Sequence, residues 1–508
     1  ASNYSLSSSN LTINKKPINT VYLSRQYNSS NAVAGSDLSS MSGLIGSETL
    51  TLSGSATMSS ANVGTNSVNA ASFTLGNGSN GGLANNYTVS GGSHTMVISQ
   101  RPLNATLARQ YDATTTSAGS TLSSFDALQG GENLTMTGSG TAASKNVANG
   151  IAMSSNGNLA LADGTGLASN YSLNSTVINI SKRVLNSSGS KTYDGNTNAS
   201  ASDITLSNLA STETLVDSGT ATISSANVGS YTISNLTGVS IADGTNGGLA
   251  SNYTLTGGTH NFTVNRRVVG VSGTRLYDAT TNAVASDLST HANLVGSQTL
   301  GLSGTGTIAS KNVGSNKTVS IGTLALADGS NGGLAANYTL TGGTHQLTVN
   351  QARISLTGTR QYDGTQNVRN SEVSLTGQQG GEDLIISGTG SVVSKDVANG
   401  KTINVSGLSL GDGQTGIAGL ASNYTFSGGT QTFNITPRVL NSSASRDYDS
   451  LKTVASSIVT LSNLVGSETI ALSGNGSVSD ENVGANKIIG VDTLSTADGA
   501  NGGLASNY

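Results

Sequence analysis

Histidine is the first residue type to examine for catalytic or metal-binding chemistry. The chain has four histidines, and His94, His260 and His345 fall at equivalent positions of a repeated segment whose other copies have no counterpart. A zinc site needs several converging ligands, and a catalytic triad needs a nucleophile and an orienting acid beside the histidine. Because copies arranged in series cannot pool single histidines, we expect neither a metal centre nor a triad.

Asp-Gly pairs could bind calcium or could shape turns. They recur at equivalent positions, at Asp243-Gly244, Asp328-Gly329 and Asp498-Gly499. A calcium loop presents a series of carboxylates and a closing glutamate, whereas each pair offers one carboxylate and Asn77 replaces the aspartate in the first copy. The sequence therefore favours turns, with calcium binding as the alternative.

Lysines could form internal amide cross-links with asparagine. The candidate lysines are Lys145, Lys311 and Lys395. The matching positions in the other copies are Ala61, Ala226 and Glu481. A cross-link that the architecture required would occur in every copy, so this pattern argues against one.

The composition excludes several classes of protein. The 508 residues include 66 glycines, no cysteine and no tryptophan, so disulfides and thiolate chemistry are excluded. The net charge of −4 and the pI near 5.6 give no electrostatic reason to expect a nucleic acid partner. The chain contains no apolar stretch long enough to predict a membrane-spanning helix.

Two tyrosine markers reveal a period of about 84 residues. An Asn-Tyr pair ends at Tyr4, Tyr87, Tyr171, Tyr253, Tyr338, Tyr424 and Tyr508. A second marker, Arg/Lys-x-Tyr-Asp/Asn, has its tyrosine at Tyr27, Tyr111, Tyr193, Tyr277, Tyr362 and Tyr448. Its basic residue lies at Arg25, Arg109, Lys191, Arg275, Arg360 and Arg446. Thus 13 of the 15 tyrosines occupy two positions of one repeat.

The markers divide the chain into tandem domains. Residues 1–20 are the C-terminal end of a preceding repeat, and the repeats that follow are 21–104, 105–186, 187–270, 271–355, 356–441 and a truncated 442–508. The sequence opens and closes at the same point of its cycle, so we expect its ends to be cuts through a longer array. A basic spot recurs between repeats, at Lys15-Lys16, Arg101, Lys182-Arg183, Arg266-Arg267, Arg353 and Arg438.

Within each repeat the local pattern is that of β-strands. Short runs of β-branched and aromatic residues alternate with Gly-, Asn- and Asp-containing turns, and no sustained 3.6-residue apolar stripe occurs. Six to eight short strands in a repeat predict a small all-β sandwich of the immunoglobulin type, and a helix-containing β-grasp fold is the alternative. The connections between repeats have no Pro-rich or Gly/Ser-rich linker, so we expect the repeats to form an elongated rod.

The tyrosine markers have structural and binding interpretations. We expect the Asn-Tyr ring to pack on the core with its hydroxyl bonded to a backbone group, and stacking on carbohydrate is the rival interpretation. At the second marker we expect the basic residue to lie beside its tyrosine or to pair with the following aspartate. That aspartate should close an Asx-turn, a role that Asn28 can also fill.

Several motifs in fixed order carry a family resemblance. Tyr-Asp-Gly-Asn/Thr occurs at Tyr193-Asp194-Gly195-Asn196 and at Tyr362-Asp363-Gly364-Thr365, followed by Glu-Thr-Leu, Asn-Val-Gly, Ala-Asp-Gly and Leu-Ala-Ser-Asn-Tyr elements. The array is similar to the tandem YDG-type (MBG-related) repeats of very large bacterial surface proteins, such as filamentous-haemagglutinin-like exoproteins of two-partner secretion. Four copies lack the glycine, at Asn28-Ser29, Asp112-Ala113, Asp278-Ala279 and Asp449-Ser450, so the turn must tolerate other residues.

The resemblance implies an extracellular, secreted array at the bacterial cell surface. On this basis we expect the repeat stalk of an adhesin, which extends a terminal adhesive domain and supports cell–cell or surface adhesion in biofilm. The alternatives are that the repeats themselves bind extracellular polysaccharide or associate with neighbouring adhesin molecules into matrix fibres. We expect no enzyme, no cofactor, no metal and no nucleic acid partner, and the sequence assigns no ligand-binding residue.

Overall fold

The computed structural model describes residues 8–233 and 236–508. The chain divides into two compact units, one of Ala1–Lys191 with Asn196–Val264 and one of Thr192–Gly195 with Asn265–Tyr508. Both units are built from β-strands. Among the described residues, the only helices are three-residue 3-10 turns, so this part of the chain contains no candidate membrane-spanning helix.

Twenty-seven strands lie in the described part of the chain up to Asn265. They are Lys16–Pro17, Thr20–Gln26, Ala32–Ala34, Leu38–Ser42, Leu50–Ser53, Ser55–Met58, Gly64–Asn69, Thr74–Asn77, Tyr87–Thr88, Thr95–Ser99, Arg101–Gln110, Thr116–Ala118, Leu122–Phe125, Leu134–Thr137, Ser139–Ala142, Ala148–Ser155, Ala160–Asp163, Tyr171–Ser181, Arg183–Val184, Asn186–Thr192, Asn198–Ser200, Ile204–Ser207, Leu215–Thr222, Gly229–Thr232, Val239–Asp243, Tyr253–Thr254 and His260–Asn265.

The same series of strands continues from Arg267 onward. These strands are Arg267–Val268, Gly270–Leu276, Asn282–Val284, Thr290–Ala292, Leu300–Ser303, Thr305–Ile308, Gly314–Ser320, Ala325–Asp328, Tyr338–Thr339, His345–Asn350, Ala352–Arg353, Ser355–Gln361, Asn367–Arg369, Val373–Thr376, Glu382–Ser391, Ala398–Thr402, Leu408–Asp412, Ile417–Ala418, Tyr424–Thr425, Gln431–Thr436, Asn441–Ala444, Thr453–Ala455, Val459–Ser462, Ile470–Ser473, Asn475–Val478, Ile489–Gly490 and Ser495–Asp498.

Strand pairing delimits the repeats as residues 16–99, 101–181, 183–265, 267–350 and 352–436, with a sixth segment over 438–508. We call these the first to sixth repeats. The fourth shows the topology. Its six-stranded sheet has the order Asn282–Val284, Thr305–Ile308, Gly314–Ser320, His345–Asn350, Gly270–Leu276, Thr290–Ala292.

Two strands at the centre of this sheet organise each complete repeat. Gly270–Leu276, here called the opening strand, pairs in parallel with His345–Asn350, here called the closing strand. The other pairings in the six-stranded sheet are antiparallel. A parallel pair cannot be joined by a tight turn, and the intervening chain forms the remaining strands of the repeat. The fold of a repeat therefore depends on contact between its two ends.

In the first, second and fourth repeats the core lies between the curled six-stranded sheet and a small two-stranded sheet, whereas the third and fifth repeats have a four-stranded sheet and a second sheet of three or four strands. In the first repeat, Leu50 and Leu52 of the small sheet join the same apolar cluster as Val21, Leu23 and Met96 of the large one. Side chains alternate between this core and the surface along the closing strand. The period-2 pattern of the sequence is thus the pattern that buries the core.

One glycine before the closing strand allows a close backbone approach. A Cβ atom added at Gly258 would lie 1.9 Å from the carbonyl oxygen of Leu185, far inside van der Waals contact. Gly343 and Gly429 are in the same situation against Val269 and Ile354. The Gly-Gly turn therefore lets the chain enter the closing strand beside the start of the repeat.

The Asp-Gly pairs shape a turn that holds the Asn-Tyr marker. The Asp243 carboxylate accepts a 2.7 Å hydrogen bond from the amide of Ala250, the first residue of the 3-10 turn Ala250–Asn252. The same bond forms in the other copies, with Asn77 as the acceptor in the first. The turn interpretation is confirmed, and the carboxylate is committed to a backbone amide.

The prediction of an all-β tandem array is confirmed. The alternative of a helix-containing β-grasp fold is wrong, because the described residues contain only 3-10 turns besides strands. Six of these turns follow short extended strands near the start of each repeat, at Gly35–Asp37, Gly119–Thr121, Ala201–Asp203, Ala285–Asp287, Asn370–Glu372 and Ser456–Ile458. The others are Ala70–Ser72, Ala84–Asn86, Ala168–Asn170, Ala250–Asn252, Ala335–Asn337, Ala421–Asn423 and Ala505–Asn507.

Candidate functional site

The two tyrosine markers meet in pairs. In the first unit the ring of Tyr111, from the second repeat, packs edge-to-face on Tyr253, from the end of the third, with ring centroids 5.4 Å apart at 78°. Edge-to-face contact is a favoured geometry for aromatic rings. The same arrangement occurs at Tyr27 with Tyr171, Tyr193 with Tyr338, Tyr277 with Tyr424 and Tyr362 with Tyr508.

A glutamate lies between the hydroxyls of each pair, except where glutamine replaces it. Glu213 accepts hydrogen bonds of 2.6 Å from both Tyr111 and Tyr253. Glu132, Glu382 and Glu468 do the same at their pairs. We call each group of two tyrosines and the bridging residue a tyrosine joint. The charge and hydrogen bonds of the joint are buried at Glu213, which is 4% exposed.

A lysine completes three of the joints. Lys145 lies 3.0 Å from the Glu213 carboxylate, and Lys395 lies 2.6 Å from Glu468. Lys311 pairs with Glu382 in the same way. These are the lysines considered for amide cross-links; each instead faces the glutamate of the next repeat as an ion pair.

A buried asparagine adds a polar contact beside the joint of Glu213. The side-chain oxygen of Asn252 accepts from the Val147 amide at 2.9 Å, and its Nδ2 donates to Asn146 at 3.0 Å. Asn170, Asn423 and Asn507 make the equivalent contacts. Because these side chains are fully buried, loss of such a bond leaves an unsatisfied amide. This explains why asparagine precedes the tyrosine.

The basic spots between repeats also bridge neighbours. Arg183, at the start of the third repeat, donates to the Asn208 carbonyl at 2.6 Å within its own repeat. It also donates to the carbonyl of Tyr111 at 3.3 Å in the second. Arg438 makes the same pair of contacts in the second unit. The guanidinium therefore fastens the end of one opening strand to a loop of the next repeat.

The contacts in the joint of Glu213 shift the pKa values of its ionisable groups. Burial raises the pKa of the Glu213 carboxyl, but hydrogen bonds from both tyrosines and from Lys145 outweigh it, so the pKa lies below its ordinary value. Burial and the bond to Glu213 raise the pKa of Tyr253 to about 12. The bond to Glu213 also raises the pKa of Lys145. The tyrosines and the lysine thus stabilise the charged carboxylate of Glu213.

The bridging residue varies between joints. Gln298 takes the place of glutamate between Tyr193 and Tyr338; it accepts from Tyr338 and donates to Tyr193 at 2.9 Å. At the joint of Glu132 the position of the lysine is occupied by Ala61. The joints therefore share the tyrosine pair and differ in charge.

The expected role of the Asn-Tyr tyrosines is confirmed. In each described copy the hydroxyl accepts from a backbone amide, as Tyr253 does from Ala210 at 3.1 Å, and the ring is buried except at Tyr508, where it is half-buried. Carbohydrate cannot stack on these rings in the folded repeat. The marker at Tyr4 lies outside the described residues.

The second marker also behaves largely as predicted. Arg109 and Arg275 pair with the aspartates that follow their tyrosines, as do Arg360 and Arg446. Asp112 and its equivalents accept from the amide two residues on, and Asn28 makes the same Asx-turn with Ser30. The next residue has a left-handed backbone in every one of these turns, with φ of 62° at Ser29 and 67° at Ala113. The turn thus tolerates residues other than glycine despite the steric cost.

The histidines have separate local roles. Nδ1 of His94 accepts from the Val21 amide at 3.2 Å, and Nε2 is bonded to the Val89 carbonyl at 2.8 Å. His260 and His345 occupy the same site in their repeats. Within the described ranges, no group of three or more potential metal ligands occurs.

The bridging glutamates were not identified from the sequence. The signal was available, because five of the seven glutamates of the chain occupy one position of the repeat, at Glu48, Glu132, Glu213, Glu382 and Glu468. Such a concentration of a scarce charged residue indicates a specific partner.

Comparison with known families accounts for most of the chain. A family model described as YDG domain matches five consecutive segments, residues 10–96, 99–178, 181–260, 263–346 and 344–433. No curated protein matches the chain.

Proposed function

Because this chain belongs to the YDG domain family, and because buried clusters join its neighbouring repeats within each unit, we propose that it is the repeat stalk of a bacterial adhesin. In this role the array lies outside the cell, extends a terminal adhesive domain from the surface and supports cell–cell or surface adhesion in biofilm. The tyrosine joint is the observation that carries the proposal.

The joints favour a mechanical role because they oppose rotation between neighbours. A joint such as that of Glu213 combines an aromatic pair, a shared carboxylate and an adjacent asparagine contact. An aromatic pair contributes about 0.5–1.5 kcal/mol beyond its buried area, and each hydrogen bond about 0.5–1.5 kcal/mol net. A flexible tether would carry none of these contacts.

The connections between repeats support the same role. Only Lys182 separates the strand Tyr171–Ser181 from Arg183–Val184, and only Gln351 separates His345–Asn350 from Ala352–Arg353. A connection of one residue leaves little freedom of movement. In a stalk, such short connections keep successive repeats in a fixed orientation under load.

Small-angle X-ray scattering tests the proposal. At concentrations where the scattering mass equals that of one chain, we expect an extended particle with a maximum dimension on the order of 200 Å, from repeats of roughly 30–40 Å each. A maximum dimension well below about 150 Å would contradict a stalk built from serial repeats.

A matched pair of variants links the scattering to the joints. Tyr111→Leu removes one ring and its hydroxyl from a joint, whereas Tyr448→Leu changes the same marker where the ring is 64% exposed. We expect Tyr111→Leu to broaden the distribution of interatomic distances and Tyr448→Leu to leave it unchanged. Equal effects of the two variants would remove the joint as the source of stiffness.

Binding of polysaccharide by the repeats is the second candidate and has a separate test. The buried Asn-Tyr rings cannot make such contacts, which would have to come from exposed residues such as those of the turns. Cosedimentation of the chain with insoluble polysaccharide measures them directly. Cosedimentation that persists at high salt and increases with the number of repeats would favour polysaccharide binding over a passive stalk.

A further inference from the structure

A second contact lies beside the tyrosine pair of each joint. The turn residue, the second after the marker tyrosine of one repeat, faces the loop residue, the third before the bridging residue of the next. A Cβ atom added at the turn residue Gly195 would lie 3.0 Å from Cγ1 of the loop residue Val295. A Cβ added at Gly364 would lie 2.6 Å from Cγ1 of Val465. At these two joints, therefore, a loop valine occupies the space beside a turn glycine.

A turn residue with a side chain faces a smaller loop residue. The turn residue Ala113 and the loop residue Ala210 belong to one apolar cluster, in which Ala210 is 3% exposed. The amides of Ala210 and Val295 each donate to a joint tyrosine hydroxyl at 3.1 Å, so the loop backbone is fixed in the same way at both joints. With the backbone fixed, a valine at residue 210 would overlap with the methyl group of Ala113.

The other two joints accommodate the turn side chain one residue later in the loop. A Cβ atom added at Gly380, the residue after the loop residue, would lie 2.7 Å from Cβ of the turn residue Ala279. The loop residue Gln379 instead donates back to a carbonyl of its own loop at 2.8 Å. A Cβ added at Gly130 would lie 2.6 Å from Oγ of the turn residue Ser29. At the joints with a turn glycine, a Cβ added at the corresponding loop position meets no atom within 4 Å.

We propose that the turn residue of one repeat and the loop of the next form a recognition pair, which determines by side-chain size which repeats can be neighbours. The joints of the described residues use three kinds of pair: glycine with valine, alanine with alanine, and alanine or serine with a Gln-Gly loop. Close-packed contacts lose stability when a methyl group is added as well as when one is removed. A mismatched pair would therefore weaken the joint.

The partner that each surface fits is a repeat of complementary size and charge. The two joints with a glycine–valine pair differ in charge, because their bridging residues are Gln298 and Glu468. Size and charge thus vary separately, and two separate determinants distinguish more neighbours than one. A repeat that docks on a wrong neighbour meets a mismatch of one kind or the other. This recognition does not depend on the adhesin role, since it concerns contacts between repeats.

A double-mutant cycle on the full chain tests the alanine–alanine pair by hydrogen exchange. Ala210→Val should speed exchange of the Val147 amide, which bonds to Asn252 across this joint, roughly tenfold because the larger side chain overlaps with Ala113. Ala113→Gly in the same chain recreates the glycine–valine pair and should restore most of the protection. Ala242→Val, at an exposed alanine of the third repeat, is the control and should leave the exchange unchanged.

The reciprocal cycle uses a joint with a glycine–valine pair. Gly364→Ala places a Cβ against Val465 and should speed exchange of the Val397 amide, which bonds to Asn507 at 2.8 Å, again roughly tenfold. Val465→Ala in the same chain recreates the alanine–alanine pair and should recover most of this loss. The left-handed backbone of the turn strains an alanine at residue 364 in both backgrounds, so this strain cancels from the comparison.

An amide inside the third repeat separates an opened joint from a misfolded repeat. The Ser187 amide donates to the Thr259 carbonyl at 3.0 Å, and its protection should be the same in Ala210→Val as in the wild type. The proposal is overturned if Ala113→Gly leaves the effect of Ala210→Val unchanged, or if Gly364→Ala has the same effect with and without Val465→Ala. Either result would leave the scattering test of the stalk unaffected.

Discussion

Replacement of Glu213 by alanine should open the joint between the second and third repeats. In the wild type this carboxylate accepts from Tyr111, Tyr253 and Lys145. The carboxylate is buried, with Glu213 4% exposed, so water does not readily take its place at the two hydroxyls. Lys145, with a side chain 34% exposed, can be rehydrated.

The structure sets the size of the effect. Each buried hydroxyl left without an acceptor costs about 1–3 kcal/mol, and the partly exposed lysine adds less because solvent screens its charge. We therefore expect Glu213→Ala to weaken the joint by about 3–5 kcal/mol. Glu213→Gln should cost only about 1–2 kcal/mol, because Gln298 shows that an amide can bond both tyrosines.

Hydrogen exchange gives a local assay for this opening. The amide of Val147 is bonded to Asn252, and that of Ala210 is bonded to the Tyr253 hydroxyl. A loss of about 3 kcal/mol corresponds to exchange roughly a hundredfold faster at these amides. Glu481→Ala, at an exposed glutamate, is the matched control and should leave the exchange unchanged.

A comparison of single and double variants tests whether Lys145 stabilises the joint through the carboxylate of Glu213. Lys145→Ala should weaken the joint in the wild type but have little effect in the Glu213→Gln chain, where no carboxylate faces the lysine. Equal effects in both backgrounds would mean that the ion pair is not coupled. Unchanged protection of Val147 in Glu213→Ala would mean that the carboxylate does not hold the joint closed.

Four further outcomes are expected. Because the pKa of Glu213 is lowered from its ordinary value of 4.5, its contribution to stability is present above about pH 4.5 and is lost as the pH falls through the lowered pKa; hydrogen exchange in acid should show this joint opening while that of Gln298 does not. Asn252→Ala should weaken the same joint by about 1–3 kcal/mol, seen as faster exchange of the amide that it binds, and an unchanged rate would contradict its role. Gly258→Ala should destabilise its repeat by about 1–3 kcal/mol, measured by thermal unfolding, because the added Cβ would clash with the carbonyl oxygen of Leu185. Gly411→Ala, whose added Cβ meets only ordinary contacts, should melt almost as the wild type does. Addition of a chelator should leave the scattering profile unchanged, and a chelator-dependent collapse would revive the calcium interpretation.

Much of the local structure could be predicted because it depends on short-range patterns. The Asx-turn at Asp112, its pairing with Arg109 and the turn role of Asp243 each involve residues within a few positions of one another. The alternation of apolar residues in the closing strands is likewise visible in the sequence. These features follow from residue type and spacing.

The tyrosine joints were beyond such reasoning because their partners are distant in the sequence. Tyr111 and Tyr253 belong to different repeats. The sequence pattern within one repeat predicts only that each ring is buried in the core of the repeat to which it belongs. The apolar cluster that contains both rings crosses the boundary between repeats. Only the concentration of glutamate at one repeat position pointed to a shared partner, and it did not identify the tyrosines.

The charge differences among the joints restrict how such an array can evolve. Genes for tandem repeats gain and lose copies by unequal recombination, which creates new pairs of neighbours. A deletion that placed the repeat of Gln298 directly after that of Lys145 would set an ammonium group against a neutral amide, without the carboxylate that Glu213 provides. Exchange of copies would therefore leave Lys145 without its carboxylate partner, so the charge of this joint depends on which repeat follows which.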